Sequence, residues 1–244
     1  MQALLFAAGL GTRMRELTAD RPKALVEAFG RPLVDHALER LRGAGVTEVV
    51  VNLHHFADKL EAHLRSRDWG LAIRFSDERD LLRDTGGGLL HAAPLLRGDG
   101  PILVCNVDVL TDLDLRALVE AHLRSGALAT LAVQSRESAR QLLFDPGLRL
   151  VGWQNRAAQA ERWAVPTPRE EVVEKAFSGV QVIAPALPGL IRRTGVFSIV
   201  EAYLDLAADH IVQGYDHTGG AWHDVGSPEK LRALEKSGGF TPTT

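Results

Sequence analysis

One cysteine in 244 residues, Cys105, excludes an internal disulfide. Its place in the run Ile102-Leu103-Val104-Cys105 suits a core residue, and such sparing use fits a reducing cytoplasm. No apolar run approaches the roughly 20 residues of a membrane span. The N-terminus shows no basic region followed by a long apolar core, so no signal peptide is expected. Charge of one sign is missing too: 28 basic residues face 31 acidic ones, for a net charge of −3. That balance gives no support for a nucleic-acid or membrane partner. The nine histidines form no ligand pattern. His54 and His55 are adjacent, so their side chains diverge, and both read as loop residues. There is no repeat and no low-complexity tract. What is present is a globular composition, 45% hydrophobic and 24% charged, enough for one large α/β domain or two small ones.

The organising stretch is Leu4 to Leu25. The run Ala3-Leu4-Leu5-Phe6 reads as a buried strand. It stops at Ala7-Ala8-Gly9-Leu10-Gly11-Thr12-Arg13, where small residues let the backbone pass close to an anion. Arg13 and Lys23 are the cations, Lys23 following the stiff Pro22. Such a loop can hold a polyphosphate; the same residues also suit an ordinary strand-to-helix turn with solvated cations. A Walker loop requires Lys-Ser or Lys-Thr after its last glycine, and Thr12-Arg13 follows Gly11. The dinucleotide fingerprint requires a glycine where Met14 stands.

Further along, Pro32 to Arg42 has helical spacing, and Val46 to Leu53 reads as a strand. Ala57 to Leu64 reads as an amphipathic helix and Leu71 to Phe75 as a strand. This alternation is that of a parallel sheet with right-handed crossovers. Thr85-Gly86-Gly87-Gly88 then reads as a loop: either a surface turn or a place where a ligand comes close at the carboxyl edge of the sheet. The apolar strand Pro101 to Asn106 ends near Asp108, which either holds a metal or caps a turn, as Asp112 caps the helix Leu113 to Leu123. Leu142 to Phe144 and Leu148 to Trp153 read as a hairpin around Asp145-Pro146-Gly147. The rhythm breaks over about 134–175, read as an irregular insertion of the kind that often carries specificity. Its Trp153 and Trp163 either stack on a ligand or form a satellite core. Ala176 to Ile183 is a strand, Val196 to Ala207 a helix, Ile211 to Tyr215 a short strand. Ser227 and Pro228 open the last helix.

Three elements match one family in order. Gly9-x-Gly11-Thr12-Arg13-Met14 with Leu17-Thr18 and Pro22-Lys23-x-Leu25, then Asn106-x-Asp108, then Trp222-x-Asp224-Val225-Gly226, resemble the sugar-1-phosphate nucleotidylyltransferases. Ala24 stands where many members have a second proline, and Val107 where glycine is common. The resemblance implies a doubly wound, mostly parallel, Rossmann-like α/β sheet of the nucleotide-diphospho-sugar transferase type. It implies one domain over 1–237, with 238–244 as a flexible tail. It assigns Arg13, Lys23 and Asp108 to catalysis. Ala8, Gly9, Gly11, Thr12, Arg13, Lys23, Thr85, Gly86 and Gly87 fall to the nucleotide, with Thr85 to Gly87 against the base. Asn155, Glu174, Ser178 and Gly179 are expected at the sugar, although Glu174 and its neighbour Lys175 also suit solvated charges. Asp108 and Asp224 are expected to converge on one Mg²⁺, through the ends of Ile102 to Cys105 and Ala221 to Trp222 as neighbouring strands.

The implied reaction joins a nucleoside triphosphate to a sugar-1-phosphate with release of pyrophosphate. The motif combination is nearest to the branch that couples uridylyl groups to N-acetylmuramate 1-phosphate. Guanylyltransferases of mannose and heptose 1-phosphates are rivals, and phosphocholine cytidylyltransferases share the opening motif. A non-catalytic nucleotide-sugar sensor is the alternative of another class. The remaining expectations are no nucleic-acid or membrane partner, a cytoplasmic location, and a monomer or small homo-oligomer.

Overall fold

The computed structural model describes residues 1–238. The chain opens with β1 (Gln2–Phe6), buried at every position. A small hairpin, β2 (Glu27–Ala28) and β3 (Arg31–Pro32), leads into α1 (Leu33–Gly43). Alternation continues through β4 (Glu48–Leu53), α2 (Ala57–Arg65), β5 (Ala72–Asp77), α3 (Asp84–Ala92) and β6 (Ile102–Asn106). After the short β7 (Val109–Thr111) come α4 (Leu115–Ser125) and β8 (Ala129–Gln134). Three strands then follow one another, β9 (Arg140–Phe144), β10 (Leu150–Asn155) and β11 (Ala160–Trp163). The long β12 (Val173–Ile183), α5 (Leu187–Leu190), α6 (Ile199–Leu206), β13 (Val212–Asp216), β14 (Trp222–Asp224) and α7 (Pro228–Ser237) complete the fold.

Ten strands form the main sheet, in the order β11-β10-β9-β12-β6-β1-β4-β5, with β8 on β12 and β13 on β8. The strands β6, β1, β4 and β5 run parallel, as the alternation predicts. Successive residues of β1 face opposite layers. Leu5 lies in one core with Leu38 of α1, Leu60 of α2 and Leu231 of α7, while Leu4 lies in a second core with Leu89 of α3 and Tyr203 of α6. Helices therefore cover both faces, which is why the parallel strands are apolar throughout. Cys105 lies in this core, where burial raises its thiol pKa.

β12 changes the sheet's direction. It runs antiparallel to β6, β8 and β9, and its register breaks between Phe177 and Gln181. The stretch read as irregular is instead an ordered antiparallel extension, β9-β10-β11. Polar residues hide the period because some of them are buried with the apolar ones, as Gln141 and Gln154 are. The helix expected at Leu113 begins at Leu115, and its N-cap is Asp114, whose carboxylate accepts the N–H groups of Arg116 and Ala117. Ser227 caps α7 as expected, its hydroxyl accepting from the Lys230 N–H. Gly238, expected to begin the tail, closes α7 in a left-handed conformation at φ 61°. The rest of that expected tail, 239–244, lies outside the described residues. Among the described residues, no helix is long and apolar enough to cross a membrane.

Candidate active site

The parallel strands β1 and β6 end side by side, Phe6 opposite Asn106, and the chain leaving β1 is the glycine loop. Gly11 takes φ 65°, and a Cβ there would lie 2.9 Å from Thr18 Cγ2 and 3.1 Å from Lys23 Cβ. Only glycine lets the loop fold back so tightly on the segment carrying Lys23. The Gly11 carbonyl accepts from the Met14 N–H at 2.8 Å and the Thr18 hydroxyl at 3.0 Å. Arg15 holds an unusual conformation just beyond, φ 52° and ψ −118°.

Asn52, at the end of β4, fixes the loop from below. Its Oδ1 accepts the N–H groups of Ala7 at 2.5 Å and Ala8 at 3.0 Å, and its Nδ2 donates to Glu78 Oε1 at 2.9 Å. The Ala8 N–H is therefore engaged by protein rather than turned to a ligand. Glu78 is fully buried, and its other oxygen accepts from the Arg83 N–H at 3.3 Å. Neither Asn52 nor Glu78 stands out in the sequence, since a lone Asn at a strand end and a Glu in a polar turn are common.

The three glycines after Thr85 form the first turns of α3, not a loop. A Cβ on Gly86 would sit 2.3 Å from the Phe197 ring, one on Gly87 2.3 Å from the Gly195 carbonyl oxygen, and one on Gly88 3.1 Å from Glu78. These glycines bring α3 against protein. Thr85 alone of the three base-side residues, with Asp84 before it, borders the cavity over the glycine loop. That cavity has a volume of about 530 Å³ and is lined by Gly9, Gly11, Thr12, Arg13, Lys23 and Asp108 among others.

Lys23 is buried and its ammonium donates to Asp108 Oδ2. Asp224 and Asp108 border one cavity, but through a strand pairing different from that expected. β14 pairs with β7 rather than with β6, so Asp224 ends one strand of a separate ribbon and Asp108 immediately precedes the other. Asp224 stands opposite Val109, and the Val225 N–H donates to the Asp108 carbonyl at 2.9 Å. Asp224 Oδ2 accepts from Lys230 Nζ at 2.7 Å. Each carboxylate thus keeps its Oδ1 clear of its lysine.

A second cavity of about 760 Å³ opens beyond this pair. It shares Arg13, Asp84, Thr85, Asn106 and Asp108 with the first and adds Asp224, Lys230, Arg136, Trp153 and Gly179. The expected sugar residues divide. Gly179 faces this cavity. Ser178 lies in its wall but is fully buried, with His217 Nε2 2.8 Å from its hydroxyl and Trp222 Nε1 donating to its carbonyl at 2.8 Å. Asn155 accepts from the Ala158 N–H in the β10–β11 turn, and Glu174 is ion-paired with Arg156 and Arg169. Neither lines the cavity. Lys175 is bound to Asp216 and Ser135. Trp163 packs under Arg169, whose guanidinium lies 5.5 Å from the ring centre.

A model of the nucleotidyl transferase family matches residues 2–142. Over 239 residues the chain is 38% identical to N-acetylmuramate alpha-1-phosphate uridylyltransferase of Caulobacter vibrioides, covering 96% of this chain and 95% of that protein. It is 30% identical over 231 residues to mannose-1-phosphate guanyltransferase of Emericella nidulans, covering 94% of this chain but 62% of that one. Among solved structures, UDP-glucose pyrophosphorylase complexed with UDP-glucose superposes with a TM-score of 0.79 at 18% identity, covering 97% of both chains. HddC from Yersinia pseudotuberculosis gives 0.74 at 19%, covering 97% of this chain and 98% of the other. At those identities the structural likeness shows the fold.

Proposed function

The chain belongs to the nucleotidyl transferase family, and on that premise we propose that it transfers a nucleotidyl group from a nucleoside triphosphate to a sugar-1-phosphate. The observation that carries this reading is the meeting of two cavities at Asp108, one over the glycine loop and one over Asp224. Two anionic substrates can enter from opposite sides and react where the acids and lysines lie. An oxygen of the sugar phosphate attacks the α-phosphorus in line. The bond from that phosphorus to the bridging oxygen breaks, and pyrophosphate leaves with the electron pair. Little covalent chemistry falls to the protein, so positioning and charge neutralisation supply the rate.

Arg13, exposed at the loop, neutralises the β- and γ-phosphates in this scheme. Lys23, already at the junction, transfers its hydrogen bond from Asp108 to the α-phosphate or the incoming sugar phosphate. Gly9, Gly11 and Thr12 pass the backbone close to the triphosphate, and Thr85 borders the base. The donor set also fits Mg²⁺. Among the described residues no group of three or more His, Cys, Asp or Glu could hold a metal, so an ion here completes its shell with phosphate and water. One or two carboxylates plus substrate phosphates is the usual Mg²⁺ arrangement, and Asp108 and Asp224 would supply them. Bound there, the ion would neutralise charge on the reacting phosphates.

For the substrates we take uridine triphosphate and N-acetylmuramate 1-phosphate, the pair suggested by the name of the 38% identical relative. The test is pyrophosphate release from purified protein with each of the four ribonucleoside triphosphates and a sugar-1-phosphate panel. Uridine triphosphate with N-acetylmuramate 1-phosphate is expected to turn over fastest. Faster turnover with guanosine triphosphate and mannose 1-phosphate overturns the substrate assignment. Tight nucleotide binding with no turnover on any sugar phosphate overturns the enzyme reading in favour of a sensor.

A further inference from the structure

The cavity beyond Asp224 contains one cation held in a way the others are not. The Arg136 guanidinium lies over the Trp222 ring, its carbon 3.6 Å from the ring centre. Its Nη2 donates to the Phe177 carbonyl at 2.8 Å, and its Nε is sealed from solvent without a partner. The backbone is fixed as well, since Gln141 Nε2 donates to the Arg136 carbonyl at 3.1 Å. That leaves Nη1 for the cavity, which Arg136 lines together with Asp108 and Asp224. The neighbouring lysines are occupied: Lys23 by Asp108, Lys230 by Asp224, and Lys175 by Asp216. Among the described residues no carboxylate lies within ion-pair distance of Arg136. Burial pulls its pKa down and the more distant charge of Asp224 pulls it up. A half-buried guanidinium without an acidic partner is costly unless an anion arrives to complete it.

We propose that Arg136 is the residue that receives the phosphate of the sugar-1-phosphate. The inference rests on the reaction proposed above and adds a residue that the family motifs do not mark. Trp222 is two residues from Asp224 and carries the guanidinium on its face, so the cation is held beside the acid pair where the acceptor phosphate must sit. Arg13 serves the triphosphate on one side of that pair and Arg136 the sugar phosphate on the other. A planar fork with one donor engaged can still present the N–H groups of its free Nη1 to phosphate oxygens.

The experiment compares wild type, Arg136→Ala and Arg136→Lys. It measures nucleotide affinity by calorimetry, KM for each substrate, and activity with added guanidinium ion. Arg136→Ala is expected to bind nucleotide as wild type does, showing that it folds. Its KM for the sugar phosphate should rise at least about 30-fold, the scale of losing one buried charged hydrogen bond. Guanidinium should restore part of the loss, and Arg136→Lys should fall between the two. An unchanged KM for the sugar phosphate overturns the inference and leaves the reaction standing. So does an equal loss of affinity for both substrates without rescue, which marks a structural role. Absence of wild-type turnover on every sugar phosphate removes the reaction itself, and this inference with it.

Discussion

Lys23 and Asp108 satisfy each other while both face the space where the substrates are expected. Neither can do this from an exposed position, because a surface pair is worth little and exchanges readily with water. Removing the ammonium leaves Asp108 without its cation and the phosphates without a donor. Lys23→Ala is therefore expected to lower kcat/KM by about 10²-fold or more, the scale of one electrostatic contact in the transition state. Steady-state kinetics decide this, and near-wild-type turnover would remove Lys23 from the mechanism. Burial lowers the pKa of His122, 2.9 Å from the Thr130 hydroxyl and away from the site, and of His217, behind Ser178 and opposed by Asp112. Burial favours the neutral form of both rings in the fold, whereas the unfolded chain takes up their protons near pH 6.5. Below that pH the unfolded state binds more protons, so stability falls as pH drops through it, and above it the two rings contribute no pH dependence. Urea midpoints are expected to fall from about pH 7.5 to about pH 5.5, and less so in His122→Gln. A variant that falls as steeply as wild type would clear His122 of the effect.

At the scale of elements, the glycines of α3 show where reading the sequence succeeds and where it stops. The cluster Thr85-Gly86-Gly87-Gly88 is legible as a place of close approach. What approaches is not legible, since Phe197 and Gly195 lie more than a hundred residues away in sequence. A reading that places the base against Gly86 expects Gly86→Val to fold and fail to bind nucleotide. The packing points instead to stability. Any side chain there meets the Phe197 ring at 2.3 Å and its carbonyl oxygen at 2.9 Å, so α3 must lift from the start of α6. Overpacking of this kind costs about 1–3 kcal/mol or more. Gly86→Val is expected to lower Tm by several degrees, and an unchanged Tm would return the glycine to the ligand. The Asn52–Glu78 link ties the same helix to the glycine loop. Asn52→Ala leaves two loop N–H groups and one oxygen of a buried carboxylate unpaired, at a cost of about 1–3 kcal/mol for each unsatisfied group. It should raise KM for the nucleotide more than for the sugar phosphate; equal rises would show general loosening.

Across the whole molecule, the parallel half was legible because its strands are buried on both faces and read as plain apolar runs, Ile102 to Cys105 above all. The antiparallel half was legible only in pieces: the β9–β10 hairpin and much of β12 read as strands, but β11 and the joining of these strands to the main sheet did not, because their residues mix polar and apolar types, and that half contributes Arg136. The ribbon β7–β14 was misplaced because nothing local distinguishes Trp222–Asp224 from a strand of the main sheet. Yet this ribbon brings Asp224 beside Asp108 although 116 residues separate them in number (224 less 108). Two carboxylates brought together repel unless cations intervene. In the structure Lys23 pairs with Asp108 and Lys230 with Asp224. An added metal ion must therefore compete with two ammonium groups, and it gains its advantage only when nucleotide phosphates supply further ligands and draw the lysines away. Mg²⁺ alone is expected to shift Tm little. Mg²⁺ with uridine triphosphate at a hundredfold excess over Kd should add about 2.7 kcal/mol, which at ~2–4 °C per kcal/mol is a rise of several degrees. Asp224→Asn should lose most of the increment that Mg²⁺ adds to nucleotide alone. A full shift with Mg²⁺ in the absence of nucleotide would show a metal site complete in the protein itself. An equal shift with nucleotide in excess chelator would remove the metal from binding altogether.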